Sequence, residues 1–300
     1  MMENKRRSGS KASHSRQAGA MRTILVIILS VILIAAIVIV SPLGEMVFGT
    51  QLNDLLSCSK SDSADRDIIS ALKQQESAIA PSTAAPSPSE KSHKVISVES
   101  IPYYILQMSA FTNQADAEKH AAEIRQLGAG GVVFTEGNIC RVFAAAYLDE
   151  ASLTKVHSQV RADGFEATPY ITEKKVLKLT LDGDPDAIAV VQKALDLLND
   201  IPKAMCTLCL SYDKGEVDES GVLKELKDML SLCRDRIDSV NSSVKISTIS
   251  PIVQLLKKYE ESISTFLDEH DSIETGSMSG DLKHLQLTLI IDYILFFNQE

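Results

Sequence analysis

The spacing of hydrophobic positions changes along the chain, and each change marks a different kind of element. From Ile24 to Val40 the only polar residue is Ser30. Taken as a helix over residues 22–43, this run is roughly 30 Å long, the thickness of a bilayer's hydrocarbon core. Residues 44–100 then offer few core-forming positions. A thin stripe of Ile68, Ile69, Leu72 and Ile79 predicts at most a short helix over 62–80, and the Pro/Ser/Ala stretch PSTAAPSPSEKSHK follows. Such a segment reads as a tether, with a flexible reach of about 40 Å.

From Ile101, strands and helices alternate. Tyr104, Leu106, Met108 and Ala110 define one face of a strand over 103–111; Tyr103, Ile105, Gln107, Ser109 and Phe111 define the other. Ala117, Ala121, Ile124 and Leu127 form the stripe of a helix over 114–127 that ends at Gly128. Strands follow over 131–135 and 139–148, joined by the turn Glu136-Gly137-Asn138. A second helix over 149–162 carries Leu153, Val156 and Val160 and ends at Gly164, and a strand over 165–171 closes the segment. Ala117, Ile124 and Gly128 repeat the seven-and-four spacing of Leu153, Val160 and Gly164. Two strand-helix-strand halves predict β-α-β-β-α-β, the ferredoxin-like arrangement, with both helices on one face and the first and third strands central. Pro169 then falls on an edge strand, where its missing N–H is tolerated.

Residues 174–300 change texture again. A strand from Val176 precedes helices over about 185–200, 218–239, 251–269 and 280–297, with Asp184-Pro185 as a capped start. Pro202 is expected to interrupt the first of these. The run LQLTLIIDYILFF is broken by Asp292 and short for a membrane span, so it predicts a buried helix of the bundle. The fold class expected is α+β: a ferredoxin-like domain over 101–173 between an N-terminal transmembrane helix and a C-terminal all-α bundle.

Charge orients the anchor. Lys5, Arg6, Arg7, Lys11, Arg16 and Arg22 precede the apolar run, and the first charges behind it are Glu45 and Asp54. That asymmetry places residues 1–21 in the cytoplasm and everything after residue 43 outside it, at the cell membrane. Ile39-Val40-Ser41-Pro42 is a poor cleavage site, so the anchor is expected to be retained. The net charge of −10 and pI of about 5.2 argue against a nucleic-acid partner.

Catalysis finds little support. Cys206 and Cys209 lie in the apolar run MCTLCL with no second pair or nearby His, and Cys233 is the sole later candidate, so they read as small buried hydrophobes. Cys58, soon after the anchor, is placed for exposure and pairing between chains. After residue 173 the only histidines are His270 and His284, in unrelated contexts. Asp182 and Asp184 flank Gly183 as turn and cap residues, and Glu260, Glu261 and Asp268 read as solvated helix faces. No catalytic residue, metal or cofactor is expected.

The strand alternation instead points to binding. It sets Ile105, Gln107 and Ser109 beside Arg141 and Phe143 on the sheet face away from the helices. The stretch YYILQMSAF, the helix with Ala117, Ile124 and Gly128, and the strand CRVFAAAY resemble the SPOR domain, a septal peptidoglycan-binding module. The correspondence holds at Gln107, Phe111, Ala117, Ile124, Gly128, Arg141, Val142, Tyr147, Val160 and Gly164. It departs at Ser109-Ala110, where Gly-Ser is usual, at Ala145-Ala146, where Gly-Pro is usual, and at Cys140, which replaces an aromatic.

The resemblance implies that the open face binds peptidoglycan glycan strands stripped of their stem peptides, with Gln107, Ser109, Arg141 and Phe143 as the contact residues. The chemistry suits it. An amide donates and accepts toward an acetamide, a guanidinium holds a lactyl carboxylate or bridges hydroxyls, and Phe143 and Tyr103 offer flat apolar surface. The expected partners are glycan strands, the membrane through residues 22–43, and an envelope or divisome protein through the helical domain. The competing reading is a structural envelope interaction protein whose C-terminal helical domain binds a partner and whose sheet face is packed or degenerate.

Overall fold

The computed structural model describes residues 92–243, 249–270 and 278–298. The expected cytoplasmic tail, transmembrane helix and most of the tether, with Cys58, lie outside the described residues. In chain order the elements are β1 (Ser92–Glu99), β2 (Tyr104–Phe111), α1 (Gln114–Gln126), β3 (Val132–Glu136), β4 (Ile139–Tyr147), α2 (Glu150–Ala162), β5 (Thr168–Ile171), β6 (Val176–Gly183) and the helices α3 (Pro185–Asp213), α4 (Glu219–Ser243), α5 (Ser250–His270) and α6 (Met278–Phe297).

Strands β2 to β5 form an antiparallel sheet in the order β3-β4-β2-β5, with β2 and β4 central as the repeat predicts. The helix caps explain that repeat. Asn113 and Asp149 side chains accept from the Ala115 and Ser152 amides at 3.0 and 2.8 Å. At the other ends Gly128 and Gly164 take φ of 85° and 89°, and the Ala129 and Phe165 amides reach back to the Ile124 and Val160 carbonyls at 3.1 Å. The seven-and-four spacing is therefore a repeated helix ending in a glycine-terminated cap, with the carbonyl that accepts the closing bond at Ile124 and Val160. On this side of the sheet Leu106, Met108, Val142 and Ala144 pack with Ala117, Ala121, Ile124, Leu153 and Val160.

The tether ends earlier than expected. Residues 92–99 of that span are β1, which pairs antiparallel with β6 in a separate two-stranded ribbon. Ile96 and Val98 alternate with exposed neighbours and pack with Leu181 into the helical core. Their partner strand lies about 80 residues on, which local pattern does not reveal.

Pro202 does not interrupt α3, which runs unbroken through it. A proline there removes the N–H that would bond the Leu198 carbonyl. The Tyr259 hydroxyl of α5 donates to that carbonyl instead, at 3.4 Å. Cys206 and Cys209 are buried free thiols on α3; burial pushes Cys206 up to about 12, and Cys209 Sγ donates to the Leu282 carbonyl at 3.6 Å.

The largest departure from expectation concerns the second sheet face. Tyr103, Ile105, Phe134, Phe143 and Ala146 are buried in one core with the C-terminal helices. Helix α6 is apolar apart from one stripe through Asp281, His284, Thr288 and Asp292, and the rest of its circumference must be covered. It packs on α3 and α5 and, on its other side, against β4. The Gln286 amide donates to the Ala146 carbonyl at 3.0 Å, and the Tyr293 ring meets Tyr103 edge-on at 5.7 Å. Tyr293 Oη also accepts from the Ile101 amide at 2.8 Å. The face expected to be open is thus largely a core between sheet and bundle.

Polar contacts fix that docking at the N-terminal half of α6. Arg125 bonds Asp281 at 2.8 Å, and His284 Nδ1 donates to the Gly130 carbonyl at 2.7 Å. Burial first, then the nearby Arg125 cation, holds the His284 imidazole below its ordinary 6.5. Acid therefore protonates the unfolded chain more readily than the folded one. The stability that neutral His284 permits is complete above pH 6.5 and is lost as pH falls toward its depressed folded value. Melting temperature is expected to drop on acidification below pH 6.5, and less steeply in His284→Gln. Equal slopes in the two proteins would refute this.

Candidate functional site

The sheet brings Gln107 and Arg141 together, as the alternation predicts. They stand on the adjacent central strands β2 and β4, on the face away from α1 and α2. Arg141 Nη1 donates to Gln107 Oε1 at 3.0 Å, while Nε and Nη2 both donate to Glu136 Oε2 at 3.2 Å. The guanidinium also lies 5.3 Å from the centroid of the Tyr170 ring. Three of its five N–H groups are thereby engaged among the described residues, and the fork is held at a fixed angle.

Exposure sorts the expected contact residues. The Arg141 side chain is 23% exposed and Glu136 is 53% exposed, whereas Gln107 is only 8% exposed. Gln107 therefore orients the guanidinium rather than facing an acetamide. Phe143 is 0% exposed, packed on Phe134 at 5.8 Å and on Tyr170 at 5.1 Å, so the flat surface expected of it is turned into the core. Tyr103 is likewise buried under α6. The Ser109 hydroxyl is buried, has no hydrogen-bond partner among the described residues and takes no part in the Arg141 network. Pairing between β2 and β4 slips on both sides of Gln107, so strict alternation fails from there onward.

Two residues of the cluster escape a sequence reading. Glu136 closes β3 at the Gly137 turn and Tyr170 lies on edge strand β5, each reaching Arg141 only through strand pairing. Burial, and then the neighbouring Glu136 charge, raises the Tyr170 phenol above its ordinary value, which keeps the hydroxyl protonated and able to donate.

Beside this cluster a cleft of about 360 Å³ opens between β5 and the C-terminal end of α6. Glu136 and Tyr170 form its wall on the sheet side, Glu173 and Lys175 its rim, and Phe297 and Asn298 its helical side. Among the described residues no group of three or more His, Cys, Asp or Glu is placed to hold a metal ion. No helix among them is long and apolar enough to cross a membrane.

No curated protein and no solved structure matches the chain. Residues 101–170, the span from just before β2 into β5, match the model of the SPOR domain family. SPOR domains as a class bind peptidoglycan and localise to septa. Strand order, capped helix repeat and family match agree on one conclusion: the chain carries a SPOR domain at residues 101–170.

Proposed function

We propose that this is a membrane-anchored, extracytoplasmic protein that binds peptide-stripped glycan strands of peptidoglycan and thereby concentrates at division or sporulation septa. The observation that carries the reading is the Arg141 cluster. A partly exposed guanidinium, braced by Gln107 and Glu136 and set over Tyr170, offers a positioned cation beside an aromatic ring. That pairing suits the lactyl carboxylate and apolar sugar face of a bare glycan. The contact belongs to the rim formed by Arg141, Glu136 and Tyr170, since the centre of the sheet is occupied by α6. A rim of this size buries little ligand, so affinity per site is weak and retention draws on tethering at the membrane through residues 22–43.

The burial of Tyr103, Ile105 and Phe143 favours a second reading, in which the chain is an envelope interaction protein whose helical region meets a partner. Sedimentation of the full chain with amidase-treated sacculi separates the two. Arg141→Ala is expected to weaken retention by about ten-fold, the loss of a charge-assisted contact. Retention unchanged in that variant, with wild type bound, would move the site elsewhere. No retention of wild type would favour the second reading.

A further inference from the structure

We infer that the cleft between β5 and the end of α6 is a second sugar subsite. It takes a neutral, N-acetylglucosamine-type residue of the strand whose neighbour is held at Arg141, so that the helical region completes the site. The inference rests on the glycan reading above and adds a contact that the SPOR segment does not supply alone.

Several observations converge on it. The cleft shares Glu136 and Tyr170 with the Arg141 cluster, so a chain bound at the guanidinium continues into it. Its volume of about 360 Å³ lies within the range of small-ligand sites. Its lining combines the half-buried Tyr170 ring, which suits the apolar face of a sugar ring, with Glu136, Glu173, Lys175 and Asn298, which suit hydroxyl and acetamide groups. The charges are balanced, because Arg141 is bonded to Glu136, and Glu173 and Lys175 both face the cleft. A neutral, hydroxyl-rich ligand fits that balance better than an anion or a cation does. One wall comes from α6, outside residues 101–170.

The test uses the full chain and two probes: amidase-treated sacculi, and a β-1,4-linked N-acetylglucosamine oligosaccharide, which has no lactyl carboxylate. Glu173→Ala combined with Asn298→Ala removes two exposed groups that line the cleft. Ile171→Trp, at a position 49% exposed, instead fills the cleft by bulk. Each is expected to weaken sacculus retention about five-fold and to abolish oligosaccharide binding measured by calorimetry, with melting temperature unchanged. If the paired alanines lower the melting temperature, Ile171→Trp decides the matter. Wild-type retention in the cleft variants, alongside loss in Arg141→Ala, would overturn the subsite and leave the glycan reading standing. Absence of wild-type retention would overturn both.

Discussion

Replacing Lys283 by methionine is expected to lower the unfolding free energy by about 3–5 kcal/mol, read from urea denaturation of the full chain. The Lys283 ammonium lies 2.8 Å from the Asp213 carboxylate, and both side chains are 3% exposed. It also donates to Ser279 Oγ at 2.6 Å and to the Gly128 carbonyl at 3.4 Å, while Ser279 donates to Asp213 at 2.6 Å. These groups join the end of α3, the first turns of α6 and the glycine cap of α1. Methionine preserves most of the stem volume and deletes the charge, which leaves the Asp213 carboxylate buried without its cation. Adding Asp213→Leu is expected to recover much of the loss, since no charge is then orphaned. A cost below about 1 kcal/mol in the single variant would show that solvent reaches the carboxylate.

Gly131→Ala is expected to cost roughly 3 kcal/mol or more, whereas Gly137→Ala costs about 1 kcal/mol. Both glycines have positive φ, 57° and 59°, so an added Cβ meets the same intrinsic penalty at each. Their surroundings differ. At Gly131 that Cβ would sit 2.2 Å from the Ala121 carbonyl oxygen, backbone of α1 that cannot swing aside. At Gly137 nothing lies within 4 Å. Paired denaturation curves measure the difference, and equal costs would mean that the connection from α1 into β3 yields without disturbing the sheet.

Much of the candidate site was legible because strand alternation is a local property. The period of two in YYILQMSAF and in CRVFAAAY assigns Gln107 and Arg141 to the face opposite α1 and α2, where the structure has them. Their roles were not legible. That Gln107 accepts from Arg141, and that Glu136 and Tyr170 share the guanidinium, follows from pairing β4 with β2 and β3, and β2 with β5. Phe143 shows the limit most clearly: its face is correct, yet whether a face meets water depends on residues more than a hundred positions away.

What the sequence determined by itself are the elements whose signals are written within a turn or a strand length. The two capped helices, the β-α-β-β-α-β order, the edge position of Pro169 and the apolar character of α6 belong here, because caps, periods and glycine stops act between near neighbours. Tertiary structure alone decided what those surfaces touch. A helix apolar over most of its circumference demands burial without naming its partner, and only the folded chain shows α6 laid on the sheet. The same contact sends the Arg141 cluster to the rim and opens the cleft beside β5. Pro202 obeys the same logic: local chemistry predicts a break, and a hydroxyl from a distant helix meets the carbonyl that the proline leaves unpaired.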